Sequence, residues 1–158
     1  MAAAREARDH DCPSAQPDMA DARPFGVVSG TVTEARIAFF KKDALDHFDW
    51  RDRFAASQAT QLFRFAARCE KSACGHYDGV DHRCALGTRV AAALPPVTDA
   101  LPPCLIRPTC RWHAEQGPAV CLRCPQVVTM IQAGDGPLQK VARPVADGAK
   151  KNGPPLAR

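Results

Sequence analysis

The cysteines are the residues of this 158-residue chain whose type and spacing could do chemistry. There are eight of them, and they are Cys12, Cys69, Cys74, Cys84, Cys104, Cys110, Cys121 and Cys124. Proteins use thiols in such number either for disulfides in an oxidising compartment or for metal coordination in a reducing one. The function class therefore depends on the compartment in which the chain resides.

The N-terminal residues lack the features of a secretory signal, which needs an apolar stretch of about 7–15 residues. Charged residues interrupt the whole segment from Arg5 to Asp11. No run approaches the roughly 18 consecutive apolar residues that span a bilayer. We therefore expect a cytoplasmic protein without a membrane partner, whose thiols stay reduced. Metal coordination is then favoured over a disulfide framework.

The spacing of the cysteines favours iron over zinc. Only Cys121 and Cys124 form a C-x-x-C knuckle, whereas a zinc ribbon normally has two such knuckles. Iron–sulfur ligands vary more in spacing, and one of them often precedes proline, as Cys12 and Cys124 do here. The sequence predicts one or two iron–sulfur clusters, of the [4Fe-4S] type, with zinc as the alternative.

Two groups of ligands are expected. Four cysteines fall in a short, proline-stiffened span and predict one four-thiolate site: Cys104, Cys110, Cys121 and Cys124. Three more, Cys69, Cys74 and Cys84, require a fourth ligand, for which the candidates are Cys12, His76 and His82. Six cations lie near the thiols in sequence and would offset the negative charge of a thiolate-ligated cluster: Arg68, Lys71, Arg83, Arg107, Arg111 and Arg123.

Signatures of catalysis are missing from the sequence. It has neither a phosphate-binding loop that ends in Gly-Lys-Ser/Thr nor a Gly-x-Ser-x-Gly elbow. The favoured function is therefore non-enzymatic: an accessory iron–sulfur protein that transfers electrons to a redox partner protein or senses redox state. Two alternatives remain open, a zinc-stabilised module that binds protein or nucleic acid and a thiol–disulfide redox protein that uses Cys121 and Cys124.

The secondary structure predicted around the cysteines indicates a small, irregular, metal-stabilised α+β domain. Residues 25–40 are rich in β-branched and aromatic residues and predict a hairpin that reverses near Glu34 and Ala35. Residues 61–65 predict a short strand, and 41–60 a short helix. Leu86, Val90 and Leu94 share one face of a helix that ends before Pro95. A further short helix is expected from Thr109 through Trp112, ending at Gly117.

The predicted domain organisation has three parts. Residues 1–23 form a flexible lead that contains Cys12, residues 24–130 form the cysteine-rich domain, and residues 131–158 form a disordered, basic tail rich in Gly and Pro. Aromatic residues make up only 6% of the chain, so its apolar core is thin and a metal centre would add cohesion. Its net charge of +4 is scattered, which disfavours nucleic acid as a partner.

Several runs of residues resemble a family of small bacterial cysteine-rich proteins that carry the label "nitrogen fixation protein". The most specific runs are LPPCLIRPTCRW at 101–112 and CLRCPQVVT at 121–129. Further runs are FRFAA at 63–67, CGHYDG at 74–79, CPS at 12–14 and FGVV at 25–28. The resemblance covers roughly Cys12 to Thr129. It implies an association with redox or nitrogenase-type metabolism and implies no particular reaction.

Overall fold

The structure is a computed structural model that describes residues 10–31, 34–41, 49–128 and 136–143. A four-stranded antiparallel sheet is its largest β-element. The spatial order is β1-β4-β2-β3, so that β4 lies inside the sheet between β1 and β2. These strands are β1 (Asp11–Ala15), β2 (Arg23–Gly30), β3 (Ala35–Phe39) and β4 (Phe63–Arg68). A second, two-stranded sheet pairs β5 (Tyr77–Asp78) with β6 (Arg83–Cys84).

Short helices cover the sheet and connect the cysteines. The α-helices in the described ranges are α1 (Ala56–Leu62), α2 (Ala85–Ala93), α3 (Arg111–Gln116), α4 (Pro118–Cys121) and α5 (Pro137–Ala142). Single 3-10 turns occupy Trp50–Asp52, Lys71–Ala73, Arg107–Thr109 and Cys124–Gln126. None of the helices in the described ranges has the length and apolar character that crossing a bilayer would require.

The predicted α+β class and the N-terminal hairpin are confirmed. Strands β2 and β3 pair antiparallel from Gly26 opposite Phe39 to Gly30 opposite Ala35, and Gly30 adopts the positive φ of 85° that a tight reversal favours. Helix α2 matches the predicted apolar stripe. The predicted strand at 61–65 begins two residues later than expected, because Gln61 and Leu62 complete α1. In the segment 41–60, residues 42–48 lie outside the described residues.

Part of the predicted flexible lead is an edge strand of the sheet. Strand β1 pairs antiparallel with β4, with Asp11 opposite Arg68 and Cys12 opposite Ala67. The Asp11 carboxylate accepts a hydrogen bond from Arg23 at 2.7 Å, which ties β1 to the start of β2. The short side chains of β1 allow close packing, and four of its five residues, Asp11 among them, are buried. Residues 1–9 of the lead lie outside the described residues.

Part of the predicted disordered tail is also ordered. Helix α5 begins at Pro137, a residue whose fixed φ suits the first turn, and its Val141 is only 3% exposed. The Val141 carbonyl accepts a hydrogen bond of 2.8 Å from Arg89 of α2. Apolar burial therefore extends the domain beyond residue 130, its predicted end. The other tail residues, 131–135 and 144–158, lie outside the described residues.

The apolar core consists of two clusters on either side of the sheet. One cluster contains Trp50, Phe63 and Phe65 and holds no cysteine. The other contains Phe25, Val90, Trp112 and Val120, and two of its buried members are cysteines: Cys110 and Cys121. The second cluster is therefore the part of the core that positions the thiols.

Candidate metal centre

Four cysteines from distant parts of the chain, which we name the first quartet, line one cavity: Cys12, Cys69, Cys74 and Cys84. The pairing of β1 with β4 brings Cys12 to the end of β4, where the Cys69 amide donates a 2.9 Å hydrogen bond to the His10 carbonyl. The β5–β6 hairpin places Cys84 opposite Tyr77, whose amide bonds to the Cys74 carbonyl at 3.1 Å. The sheets thus assemble this quartet.

The other four cysteines, which we name the second quartet, line a separate cavity: Cys104, Cys110, Cys121 and Cys124. Short helices assemble this group. Cys110 precedes α3, Gly117 with a φ of 72° breaks the chain between α3 and α4, and Cys121 ends α4. Cys124 begins the 3-10 turn that follows. The structure therefore brings together the four residues that the sequence groups in one span.

Electrostatic interactions among the thiols fall into the same two quartets. Burial raises the pKa of Cys69, Cys84, Cys110 and Cys124, that of Cys110 to about 12. Neighbouring cysteines raise these pKa values further, and every such neighbour belongs to the same quartet. All eight cysteines lie in the described ranges and carry free thiols. The thiols of each quartet are thus near one another, without disulfides.

Backbone amides surround the sulfurs of the first quartet. Each of its four Sγ atoms accepts a backbone N–H at 3.4 Å from a residue two or three positions further along the chain. The donors are Ser14, Lys71, His76 and Gly87. In the second quartet, the amides of His113 and Trp112 act similarly on Cys110 and lower its pKa against the larger effect of burial. Such donors favour thiolate and tune a bound metal centre.

Arg64 is a buried cation beside the second quartet. It is 1% exposed, although it lies on β4 between two phenylalanines. Its guanidinium donates to the Cys124 carbonyl at 2.6 Å and to the Pro13 carbonyl at 2.7 Å. Its Nη2 is buried without a hydrogen-bond partner in the described part of the chain. Against the larger effect of burial, Arg64 lowers the pKa of the Cys124 thiol. A buried guanidinium of this kind calls for a nearby anion.

Arg111 and Trp112 lie beside the first quartet, and each lowers the pKa of one of its thiols. Arg111 lines that cavity and lowers the pKa of Cys69 against the larger effect of burial. Its guanidinium pairs with Glu115 at 3.1 Å. Burial raises the pKa of Cys84, and the amide of Gly87 and the side chain of Trp112 each lower it in part as N–H donors. The buried indole N–H has no partner at hydrogen-bonding distance among the described residues, so it acts on the Cys84 thiol as a nearby donor.

The two histidine candidates for the fourth ligand of the first quartet lie elsewhere. His76 is buried, and its Nδ1 lies 2.9 Å from a guanidinium nitrogen of Arg89. His82 is exposed, with a ring nitrogen 3.4 Å from the Tyr77 hydroxyl. Neither histidine lines the cavity, whereas Cys12 does. Of the three candidates, Cys12 is the one that the structure brings to the other thiols.

The donor set at each site limits the kinds of inorganic group that could bind there. Four sulfurs about 2.3 Å from a single tetrahedral zinc lie within about 3.8 Å of one another. In the described ranges, no three His, Cys, Asp or Glu residues are arranged to hold a metal ion. Each quartet lines a recess that is partly open to solvent. The all-cysteine donor set of each quartet suits an iron–sulfur cluster and also a zinc ion.

Sequence reasoning missed the roles of Arg64 and Trp112 at these sites, and it noted Pro13 only as the residue after a candidate ligand. Arg64 lies between Phe63 and Phe65, a pattern that indicates a solvent-facing side chain. For that reason the sequence does not reveal its buried position beside the second quartet. A signal for Trp112 was its position directly after Cys110 and Arg111. Comparisons with models of protein families, with curated proteins and with solved structures find no match to this chain. The functional argument therefore depends on its own residues.

Proposed function

We propose that this chain is an iron–sulfur protein with two four-cysteine cluster sites, one in each quartet, that carries electrons or senses redox state. The observation that carries the proposal is the division of all eight cysteines into two quartets, each around its own cavity. Four thiolates are the usual ligand set of a [4Fe-4S] cluster. Such a cluster would supply reversible one-electron chemistry at each site.

Charge and hydrogen bonding support a cluster with excess negative charge. A buried arginine lies beside each quartet, Arg111 beside the first and Arg64 beside the second. Cations and N–H groups near the sulfurs stabilise thiolate ligands and raise the potential of a cluster. The protein's contribution is therefore to hold the thiolates apart, shield the site and set its potential.

The thiol–disulfide alternative receives less support from the pair Cys121 and Cys124. A reactive thiol requires a lowered pKa, whereas burial raises the pKa of Cys124. The zinc alternative receives less support from the spacing of the cysteines, because only Cys121 and Cys124 form a C-x-x-C knuckle. We further propose a cytoplasmic location, a redox partner protein and a role in redox or nitrogenase-type metabolism. We do not expect nucleic acid to be a partner.

Anaerobic purification with metal analysis tests this function. The protein should be brown, absorb broadly near about 400 nm, and contain about eight iron and eight sulfide per chain, four for each cluster. A colourless protein that contains stoichiometric zinc would contradict the proposal. A protein without metal in which one cysteine pair has a lowered thiol pKa would favour the thiol–disulfide alternative.

Two single substitutions test the grouping of the ligands. Cys69→Ala should remove about half of the iron and leave the second cluster, and Cys121→Ala should remove the other half. Ser72→Ala is the matched control, because Ser72 is an exposed residue between Cys69 and Cys74 that lines neither cavity. Loss of all iron in both variants, with the fold retained, would contradict two separate sites.

A further inference from the structure

We infer that the two centres form one electron-transfer pair, in which the first quartet exchanges electrons with a partner protein and the second quartet is the less exposed centre, reached through the first. This inference rests on the proposed function and adds to it a direction of electron flow. It predicts that the second centre has no independent access to a protein donor. Three features of the described residues carry it: a shared wall, a hydrogen-bonded link and unequal exposure.

The two cavities share a wall that is one residue thick. Pro13 and Trp112 line both cavities. The same short segments supply the ligands on either side, because Cys12 of the first quartet directly precedes Pro13, and Cys110 of the second lies two residues before Trp112. Asp11 and Cys110 also form a β-bridge, which fixes the two segments side by side. The centres are therefore adjacent and separated mainly by an aromatic ring and a proline.

Arg64 links the two sites by hydrogen bonds. One guanidinium group donates to the carbonyl of Pro13, next to Cys12, and to the carbonyl of Cys124, a ligand of the second quartet. The same group lies over the Trp112 ring, with its central carbon 5.4 Å from the ring centroid. This fixed cation stabilises an added electron on the second centre, because the reduced cluster carries one more negative charge.

Exposure differs between the two sites. In the second quartet Cys110 and Cys121 are buried and Cys104 and Cys124 are partly exposed, and no residue that lines the second cavity is exposed. Its wall is mainly apolar and includes Phe25, Ile106 and Val120. All four cysteines of the first quartet are partly exposed, and the exposed Glu70 lies at the cavity. A partner protein can therefore approach the first centre more closely than the second.

The electron balance is simple. A one-electron donor protein, such as a reduced ferredoxin, loses one electron and is oxidised, and the first cluster gains that electron. The first cluster then passes the electron to the second cluster, returns to its oxidised state and can accept another. No bond forms or breaks, and the two clusters together store two electrons.

Rapid reduction of the loaded protein tests the direction of flow. A reduced plant-type [2Fe-2S] ferredoxin is mixed with wild type, with Cys74→Ala and with Cys121→Ala, after iron analysis has shown which centre each variant retains. The second centre of Cys74→Ala should be reduced at least tenfold more slowly than in wild type, whereas the first centre of Cys121→Ala should keep its wild-type rate. An unchanged rate at the second centre of Cys74→Ala would overturn the inference.

Electron paramagnetic resonance of wild type tests adjacency and does not depend on the folding of variants. As reduction proceeds from one electron to two per chain, the signal should broaden or split, because two neighbouring spins interact. A fully reduced spectrum with the same line shape as the half-reduced one would overturn the inference, provided that both centres are present by iron analysis. Absence of iron would instead overturn the proposed function, so the two failures are distinguishable.

Discussion

Substitution of Arg64 by glutamine should lower the reduction potential of the second centre. Arg64 is 1% exposed and lies against Cys124, so its charge is poorly screened by solvent. A unit charge about 7 Å from an added electron, at an effective dielectric constant of about 20, contributes about 2.4 kcal/mol. For a one-electron couple, a tenfold change in equilibrium constant corresponds to about 59 mV, so the expected shift is on the order of 100 mV.

The sign follows from charge. Reduction would add a negative charge to the proposed cluster, so Arg64 would stabilise the reduced state more than the oxidised state. Arg64→Gln removes that preference, and the potential becomes more negative. Arg64→Lys retains a charge without the planar group that reaches both carbonyls, and we expect it to shift the potential by less than half as much.

A redox titration monitored by visible absorption and electron paramagnetic resonance measures both potentials in one sample. Arg123→Gln is the matched control. Arg123 precedes Cys124 in sequence, but its guanidinium donates to the carbonyls of Leu94 and Ala119, and it lines neither cavity. Its substitution should leave both potentials within about 20 mV of wild type. If Arg64→Gln holds as much iron as wild type and titrates like Arg123→Gln, the placement of an anionic centre beside Arg64 is refuted.

Three further outcomes can be checked. Trp112→Phe keeps an aromatic ring but removes the indole N–H beside Cys84, and a redox titration should show the potential of the first centre lowered by up to roughly 40 mV, the equivalent of one hydrogen bond of about 1 kcal/mol. Trp50→Phe, in the other apolar cluster, should leave that potential unchanged. Gly87→Ala places a Cβ 2.7 Å from the Trp112 ring and should destabilise the fold by about 1–2 kcal/mol in thermal melts, whereas Gly79→Ala, with nothing within 4 Å, should not. Protein produced without iron and zinc should melt at least about 10 °C below the loaded form, and equal melting temperatures would show that no metal supports the fold.

Local patterns in the sequence account for the elements that depend on local interactions. The hairpin of β2 and β3 follows from β-branched residues around a turn, and α2 follows from Leu86, Val90 and Leu94 at helical spacing. The grouping of the second quartet has the same origin, because its members fall within one proline-stiffened span. Such features need no knowledge of which distant segments meet.

Long-range pairing accounts for the features that the sequence did not reveal. The polar composition around Cys12 indicates a loose lead, yet β1 is held by its pairing with β4 more than 50 residues away. The alternation of Phe63, Arg64 and Phe65 indicates an exposed arginine, but β4 is a central strand with both faces covered, so all three side chains are buried. Because both faces of β4 are covered, the alternation along its sequence does not show which side chains reach solvent.

The two quartets also differ in what a bound centre would do for the fold. The ends of the first quartet, Cys12 and Cys84, are separated by about 70 residues, and those of the second, Cys104 and Cys124, by about 20, so a centre in the first closes the longer loop and restricts the unfolded chain more. The first quartet also joins two separate sheets through strands as short as two residues, β5 and β6, which bury little apolar surface of their own. The second quartet is embedded in the larger apolar cluster, where Cys110 and Cys121 already pack. A centre in the first quartet would therefore contribute mainly to tertiary stability, whereas a centre in the second would occupy a site that the core already packs around.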